Sequence, residues 1–418
     1  MEATVAGQGV FVLGGAQTDF SRVWTREGLD AADLIREVVQ DALGAARVDA
    51  GDVQVGHVGN FAGELYLGQG HLGGLLVEAD PAFAGMPTSR HEAACASGSM
   101  AVLAAMADIE AGRYDVALVV GAEIMRIGRG AESQRLLAAG AWVPRETEGV
   151  EFPWPHQFNS VAMEYDRRYG LDHRYLGAIA ANNLANARQN PLAQTRNWTF
   201  DDRAFAEDDE ANPTMAGLLR RQDCSPITDG GAAVVLASGT AAREWAARRG
   251  RSSDGIPRIS GWGHTTSRMA VADKLTDAAD SPYVAPHLRR AIVDAFDRAR
   301  IPDAAALDLI ELHDCFSISE YLMIDHFGLT DPGESWRAVD SGAIARDGKW
   351  PINPSGGLLG VGHPVGASGV RMLLDVARQV EDAAGDCQVP GAQRGAVLNM
   401  GGSMTTTACF VVDTDGVA

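Results

Sequence analysis

The 418 residues are 46% hydrophobic and 22% charged, which excludes a disordered chain and exceeds one ordinary domain, so two domains or one large duplicated unit are expected. Lys and Arg number 35 against 55 Asp and Glu; the net charge of −20 excludes a general grip on a nucleic acid backbone, and any anionic ligand must be held locally. The five cysteines Cys95, Cys224, Cys315, Cys387 and Cys409 form no CxxC pair, which argues against a disulfide scaffold or a zinc module and for a reducing compartment.

Residues 1–15 contain no basic segment followed by a long apolar one, and no uncharged apolar run of membrane-spanning length follows. A soluble cytoplasmic protein without membrane contact is expected. Residues 10–15 read as a short strand, and after Asp30 the side chains Leu34, Ile35, Val38, Val39, Ala42 and Leu43 fall on one face of a helix. Residues 53–61 form another short element, 98–111 a helix preceded by Cys95, and 114–121 a buried strand ending in glycine. Residues from about 125 to 245 are more polar, carry Arg126, Arg129 and Arg135 and a helical stretch at 176–189, and read as an insertion over one edge of the first half. The charged, turn-rich RRGRSSDG at 248–255 is the expected linker.

The second half repeats this grammar. Ile292, Phe296 and Ala299 mark a helix, 307–312 a strand running into His313, 366–380 a helix opened by glycines, and 395–400 a strand running into Gly401 and Gly402. The repetition predicts a layered α/β protein duplicated internally, with halves at 1–255 and 256–418.

Four places could carry chemistry. Cys95, in EAACASGSM, has small neighbours and a helix directly after it, where backbone N–H groups and the helix dipole stabilise a thiolate; a cysteine that merely packs would look the same. His363, in GGLLGVGHPVGASG, is surrounded by six glycines that let backbone approach a substrate, and its imidazole could take the Cys95 proton or serve as a turn histidine. His313, Asp314 and Cys315 end an apolar strand, where open α/β sheets place ligands. His313, Cys315 and His363 lack compact zinc spacing, so no metal site is expected. NMGGS at 399–403 puts glycines after a strand, which suits a backbone oxyanion site or an ordinary turn.

Taken together, VLGGAQTDF near the start, EAACASG, SPITDGGAAVVLAS from Ser225 and NPSGGLLGVGHPVGASG from Asn353 resemble the thiolase superfamily over nearly the whole chain. HDCF at 313–316 and NMGGS resemble the sterol-carrier-protein-type and archaeal acetoacetyl-CoA thiolases. Other thiolases have an NEAF-like motif and a cysteine-bearing CxG there; Asn399 stands at that second cysteine's place. The resemblance implies a five-layered α-β-α-β-α fold with an inserted loop domain and an acyltransferase that forms or cleaves a β-ketoacyl-CoA. Coenzyme A thioesters would be substrates, with no tightly bound cofactor.

By the same resemblance, Cys95 would carry the acyl group and His363 would activate it. Cys315 would be the second acid/base, His313 would help hold the enolate oxygen, and the N–H groups of Cys95 and Gly401 would form an oxyanion hole. A homodimer or dimer of dimers is implied, with a small OB-fold protein as a possible partner. Alternatives are a condensing enzyme of a specialised pathway and a partner-dependent or non-catalytic acyl-CoA-binding homologue. A thiolase-like retro-aldolase fits less well, because such enzymes need no nucleophilic cysteine.

Overall fold

A computed structural model describes residues 9–128 and 130–414. Arg129 and the first eight residues of the segment read for a leader lie outside them. The first half contributes strands β1 (Val10–Gln17), β2 (Val55–Gly59), β3 (Thr88–His91) and β4 (Val116–Glu123). A two-stranded hairpin follows, β5 (Thr214–Ala216) and β6 (Leu219–Arg220), and then β7 (Gly230–Ser238). The second half adds β8 (Pro257–Thr266), β9 (Leu309–Leu312), β10 (Arg394–Gly401) and β11 (Thr406–Thr414).

The order β3-β2-β4-β7-β1-β8-β11-β10-β9 is nearly a palindrome of the duplication. Reading outward from the centre, β1, β7, β4 and β2 are matched by β8, β11, β10 and β9. Even the outermost strand has a counterpart: β3 runs parallel to β2, and Ile352 makes an isolated parallel bridge to Ile310 of β9. The halves meet where β1 and β8 pair antiparallel, through Val10 with Ile259 and Phe11 with Arg258.

Helices complete five layers. The Ala31–Ala46 helix covers β1 and β7 on one outside, and the Pro286–Ala299 helix covers β8 and β11 on the other. Between them lie the Ser97–Glu110 and Val365–Val380 helices, which pack on each other and on strands of both halves. This is the α-β-α-β-α architecture expected. It explains the strands' continuous apolar runs: Val10 and Val12 of β1 and Val119 of β4 face the middle layer's core, while Phe11, Leu13, Leu118 and Val120 join the core under the Ala31–Ala46 helix.

The polar stretch read as an insertion supplies the Pro153–Tyr169 and His173–Ala187 helices and the small hairpin. Its last part, Gly230–Ser238, is instead a central strand between β4 and β1, so we place the end of the insertion before Gly230. That strand is one uninterrupted small-and-apolar run buried on both faces, which gives no alternation to read. Among the described residues no helix is long and apolar enough to cross a membrane.

Candidate active site

Cys95 sits at a sharp turn between β3 and the Ser97–Glu110 helix. Ala94 takes a left-handed φ of 49°, a conformation that needs support in any residue with a Cβ. The support is local: Glu92 accepts from the Ala94 N–H at 2.6 Å, and Ser97 Oγ accepts from the Ala93 N–H at 3.0 Å while donating to the Ala94 carbonyl at 2.6 Å. The small residues are required by close packing, since a Cβ on Gly98 would lie 2.7 Å from the Gly366 carbonyl oxygen. The turn thus presses the heads of the two middle helices together, one led by Cys95 and the other by His363.

Burial pushes the Cys95 thiol up to about 12, against a hydrogen bond from the Gly402 N–H that favours the thiolate; buried Glu123 adds to the upward push. His363 is held down to about 3 and His313 well below its ordinary value, both chiefly by burial; Arg371 adds to both effects and His363 to the second. The resting site therefore carries a thiol and two neutral imidazoles. Their rings stand at 89° with centroids 5.0 Å apart.

The hydrogen bonds give the two histidines opposite tautomers. Ser368 Oγ donates to the Pro364 carbonyl at 3.0 Å, so toward His363 Nδ1, 2.8 Å away, it acts as acceptor; Nδ1 carries the hydrogen and Nε2 the lone pair. Asn399 accepts from Ser99 Oγ at 2.7 Å through its carbonyl oxygen, which turns its amide N–H to His313 Nδ1 at 2.8 Å. The Met400 backbone N–H also faces that nitrogen, at 3.4 Å. His313 Nδ1 is consequently an acceptor and its Nε2 carries the hydrogen. Neither Nε2 has a partner among the described residues. The pair offers one base and one donor, which is what removing a thiol proton and holding a developing oxyanion require.

One ligand atom each from Cys95, His313 and His363 lie within 4.8 Å of one another, a spacing that could hold a soft metal ion. The His313 tautomer opposes this, because its inward nitrogen bears a hydrogen where ligation needs a lone pair. Cys315 lies outside that compact trio but lines the same cavity with Cys95, His363 and Gly402, and burial and the neighbouring Cys95 hold its thiol well above the ordinary range. The cavity has a volume of about 80 Å³, and Met125, Leu137, Trp154, Phe158 and Phe316 make much of its wall apolar.

The structure thus brings Cys95, His313, Cys315 and His363 together. At the glycine turn, Gly401 packs its α-carbon face so closely on the Ala93 carbonyl that no side chain fits, and the N–H bonded to the Cys95 sulfur is that of Gly402. Asp314, between the two expected reagents, is a clamp: its carboxylate accepts from the N–H groups of Leu358 at 2.5 Å and Leu359 at 3.2 Å, fixing the loop that leads to His363. Of the arginines in the insertion, Arg126 spends its guanidinium on the Ser21 and Arg22 carbonyls. Glu123 carried no mark in the sequence, yet it joins the halves beneath the site, accepting from Asn60, Phe61, Ala62 and Gly366 at 2.8 to 3.2 Å.

Residues 10–240 match the thiolase N-terminal domain family, and residues 270–414 match the thiolase C-terminal domain-like family. The chain belongs to the thiolase superfamily. Within it, the chain is 31% identical over 403 residues to an acetyl-CoA acetyltransferase of Methanothermobacter thermautotrophicus, covering 96% of this chain and 98% of that one. It is 27% identical over 409 residues to human sterol carrier protein 2, covering 94% of this chain and 70% of that protein. Among solved structures it resembles one titled Ltp2-ChsH2(DUF35) aldolase, with a TM-score of 0.76 at 18% identity over 99% of this chain and 100% of that one. This last likeness shows the thiolase-type fold.

Proposed function

We propose that this chain is a partner-dependent member of the thiolase superfamily that binds acyl-CoA thioesters in the cavity of Cys95, His363 and Cys315. One observation carries the reading: the chain shares its fold over nearly its whole length with a structure whose title names a two-component aldolase, while its own Cys95 and His363 are buried with the thiol protonated and the imidazole neutral. With the thiol near 12 and the imidazole near 3, a free thiolate–imidazolium pair is far uphill at neutral pH. A second protein that brings a hydrogen-bonding or charged group to the cavity, rather than merely covering it, would change that balance. The two-component title of the aldolase with the same fold supports such an arrangement.

The tautomers favour a second reading, an autonomous thiolase. In it, His363 Nε2 takes the Cys95 proton as the sulfur attacks the thioester carbonyl, CoA leaves as the thiol, and His313 Nε2–H steadies oxyanion charge. Cys315 then removes the α-proton of a second acyl-CoA, or reprotonates the enolate in the cleavage direction.

Intact-mass measurement with acetyl-CoA and a panel of longer acyl-CoAs separates the two. For the partner-dependent reading, CoA esters bind to the chain alone but leave no adduct on it. An adduct on Cys95 formed by the chain alone and removed by free CoA would establish the autonomous enzyme instead. In that case Cys95→Ala abolishes acylation, whereas Cys315→Ala spares it and slows carbon–carbon bond chemistry. Equal loss of acylation in both variants, with folding intact, would refute that division of labour.

A further inference from the structure

The cavity contains polar atoms that thioester chemistry does not use. Trp154 and Gln134 line it, and neither the indole Nε1–H nor Gln134 Oε1 has a hydrogen-bond partner among the described residues. Trp154 is 7% exposed. Gln157, three residues further along the same helix and 1% exposed, is unpartnered at both ends of its amide. A buried donor or acceptor left unmade costs free energy, so the two that line the cavity, Trp154 Nε1–H and Gln134 Oε1, point to a ligand group that satisfies them.

Their position says which part of the ligand that is. A Cβ on Gly140 would lie 3.1 Å from Trp154 Cζ2 and 3.3 Å from the Cβ of Ala94, so the indole packs beside the residue that precedes Cys95. The orphaned donor therefore lies near the turn that carries Cys95, in the same cavity that an acyl group on that sulfur would enter. The surrounding wall of Met125, Leu137, Phe158 and Met215 suits hydrocarbon.

We propose that the acyl chain taken by this cavity carries a hydroxyl group away from the thioester, accepting from Trp154 Nε1–H and donating to Gln134 Oε1. A hydroxyl does both at once, whereas a ketone satisfies the indole alone and a plain alkyl chain satisfies neither. A site built to pair a hydroxyl discriminates against the analogue that lacks it, because its own polar atoms are then buried unpaired. The inference rests on the acyl-CoA reading above. An amide of the pantetheine arm offers the same donor and acceptor, so the experiment must separate the two sources.

Binding is measured by calorimetry in the Cys95→Ala background, so that turnover does not intrude. The probes are acetyl-CoA, a saturated medium-length acyl-CoA, and the same ester with one hydroxyl placed at successive positions. At its best position the hydroxyl should tighten binding about tenfold or more. Trp154→Phe and Gln134→Leu should each remove most of that preference, read within each variant as the ratio of hydroxylated to saturated ester affinity. Equal binding of saturated and hydroxylated esters at every position overturns the proposal, and this comparison needs neither variant to fold. Equal weakening of all esters by both variants, acetyl-CoA included, assigns the orphaned atoms to pantetheine and also overturns it. If no CoA ester binds, the acyl-CoA reading itself fails, an outcome distinct from equal binding.

Discussion

Glu123 and Asn399 show how single side chains set the state of the reacting groups. Burial raises Glu123 from 4.5 to about 7, and its charge in turn helps to raise the Cys95 thiol. Glu123→Gln keeps the shape and removes the charge. We expect the pH midpoint for alkylation of Cys95 by iodoacetamide to fall in this variant; an unchanged or higher midpoint would show that Glu123 does not act on the thiol. The linkage sign is definite as well. A carboxyl that keeps its proton to about pH 7 when folded but releases it near 4.5 when unfolded adds stability below 4.5, and that stability is lost as pH rises through about 7. Denaturation of Glu123→Gln across that window should lack a decline of up to about 3 kcal/mol present in the parent.

Asn399→Asp tests the tautomer argument. An aspartate can still accept from Ser99 Oγ but cannot donate to His313 Nδ1, so the hydrogen should move to Nδ1 and leave Nε2 without one. Nitrogen NMR of the labelled imidazole would report the change directly. On the thiolase reading, carbon–carbon bond chemistry should drop by about 100-fold or more, the usual scale for losing an oxyanion donor. Alkylation of Cys95, which depends on His363, should hold within about twofold. A His313 signal unmoved by the substitution would refute the assignment.

At the scale of elements, the two middle helices bring the site together. They cross on residues without side chains: a Cβ on Gly369 would fall 2.6 Å from Asn399 Oδ1 and 2.7 Å from the Ser99 backbone nitrogen, against the pair that holds His313. Gly369→Ala should cost about 1–3 kcal/mol, read as a lower denaturant midpoint, and should loosen His313 as well. A midpoint unchanged within error would mean that the crossing is not tight. The sequence showed these helices and the residues at their heads because both signals are local: apolar spacing, small residues around Cys95, and glycines around His363. The contacts that define the chemistry are not local. Ser99 and Asn399 meet across 300 positions, and an asparagine where many thiolases have a cysteine looks like a loss until its amide is seen to fix an imidazole.

Close backbone approach also places glycines inside a strand. Gly261 and Gly263 of β8 have bare α-carbons where the Ala295 and Ala291 carbonyls of the Pro286–Ala299 helix come to rest on the sheet. Trp154 and Gln157 lay in a stretch legible only as polar cover. Their unpaired polar atoms are a property of packing, which composition does not record.

For the whole molecule, the duplication suggests two units, but the packing argues that they unfold as one. β1 pairs with β7 of its own half and β8 of the other, while the Val365–Val380 helix contacts β1, β4 and β7 as well as β10 and β11. That helix is buried along nearly its full length, so exposing either half alone would uncover its apolar side chains and those of the strands beneath it. We therefore expect calorimetry to show a single endotherm whose calorimetric and van't Hoff enthalpies agree, despite a chain longer than most two-state folders. Residues 1–255 expressed alone should aggregate and become soluble when residues 256–418 are co-expressed. Two resolved endotherms, or a folded isolated half, would show that the site lies between domains that merely dock. In that case closure of the halves, rather than a second protein, would become the natural way to awaken the buried thiol.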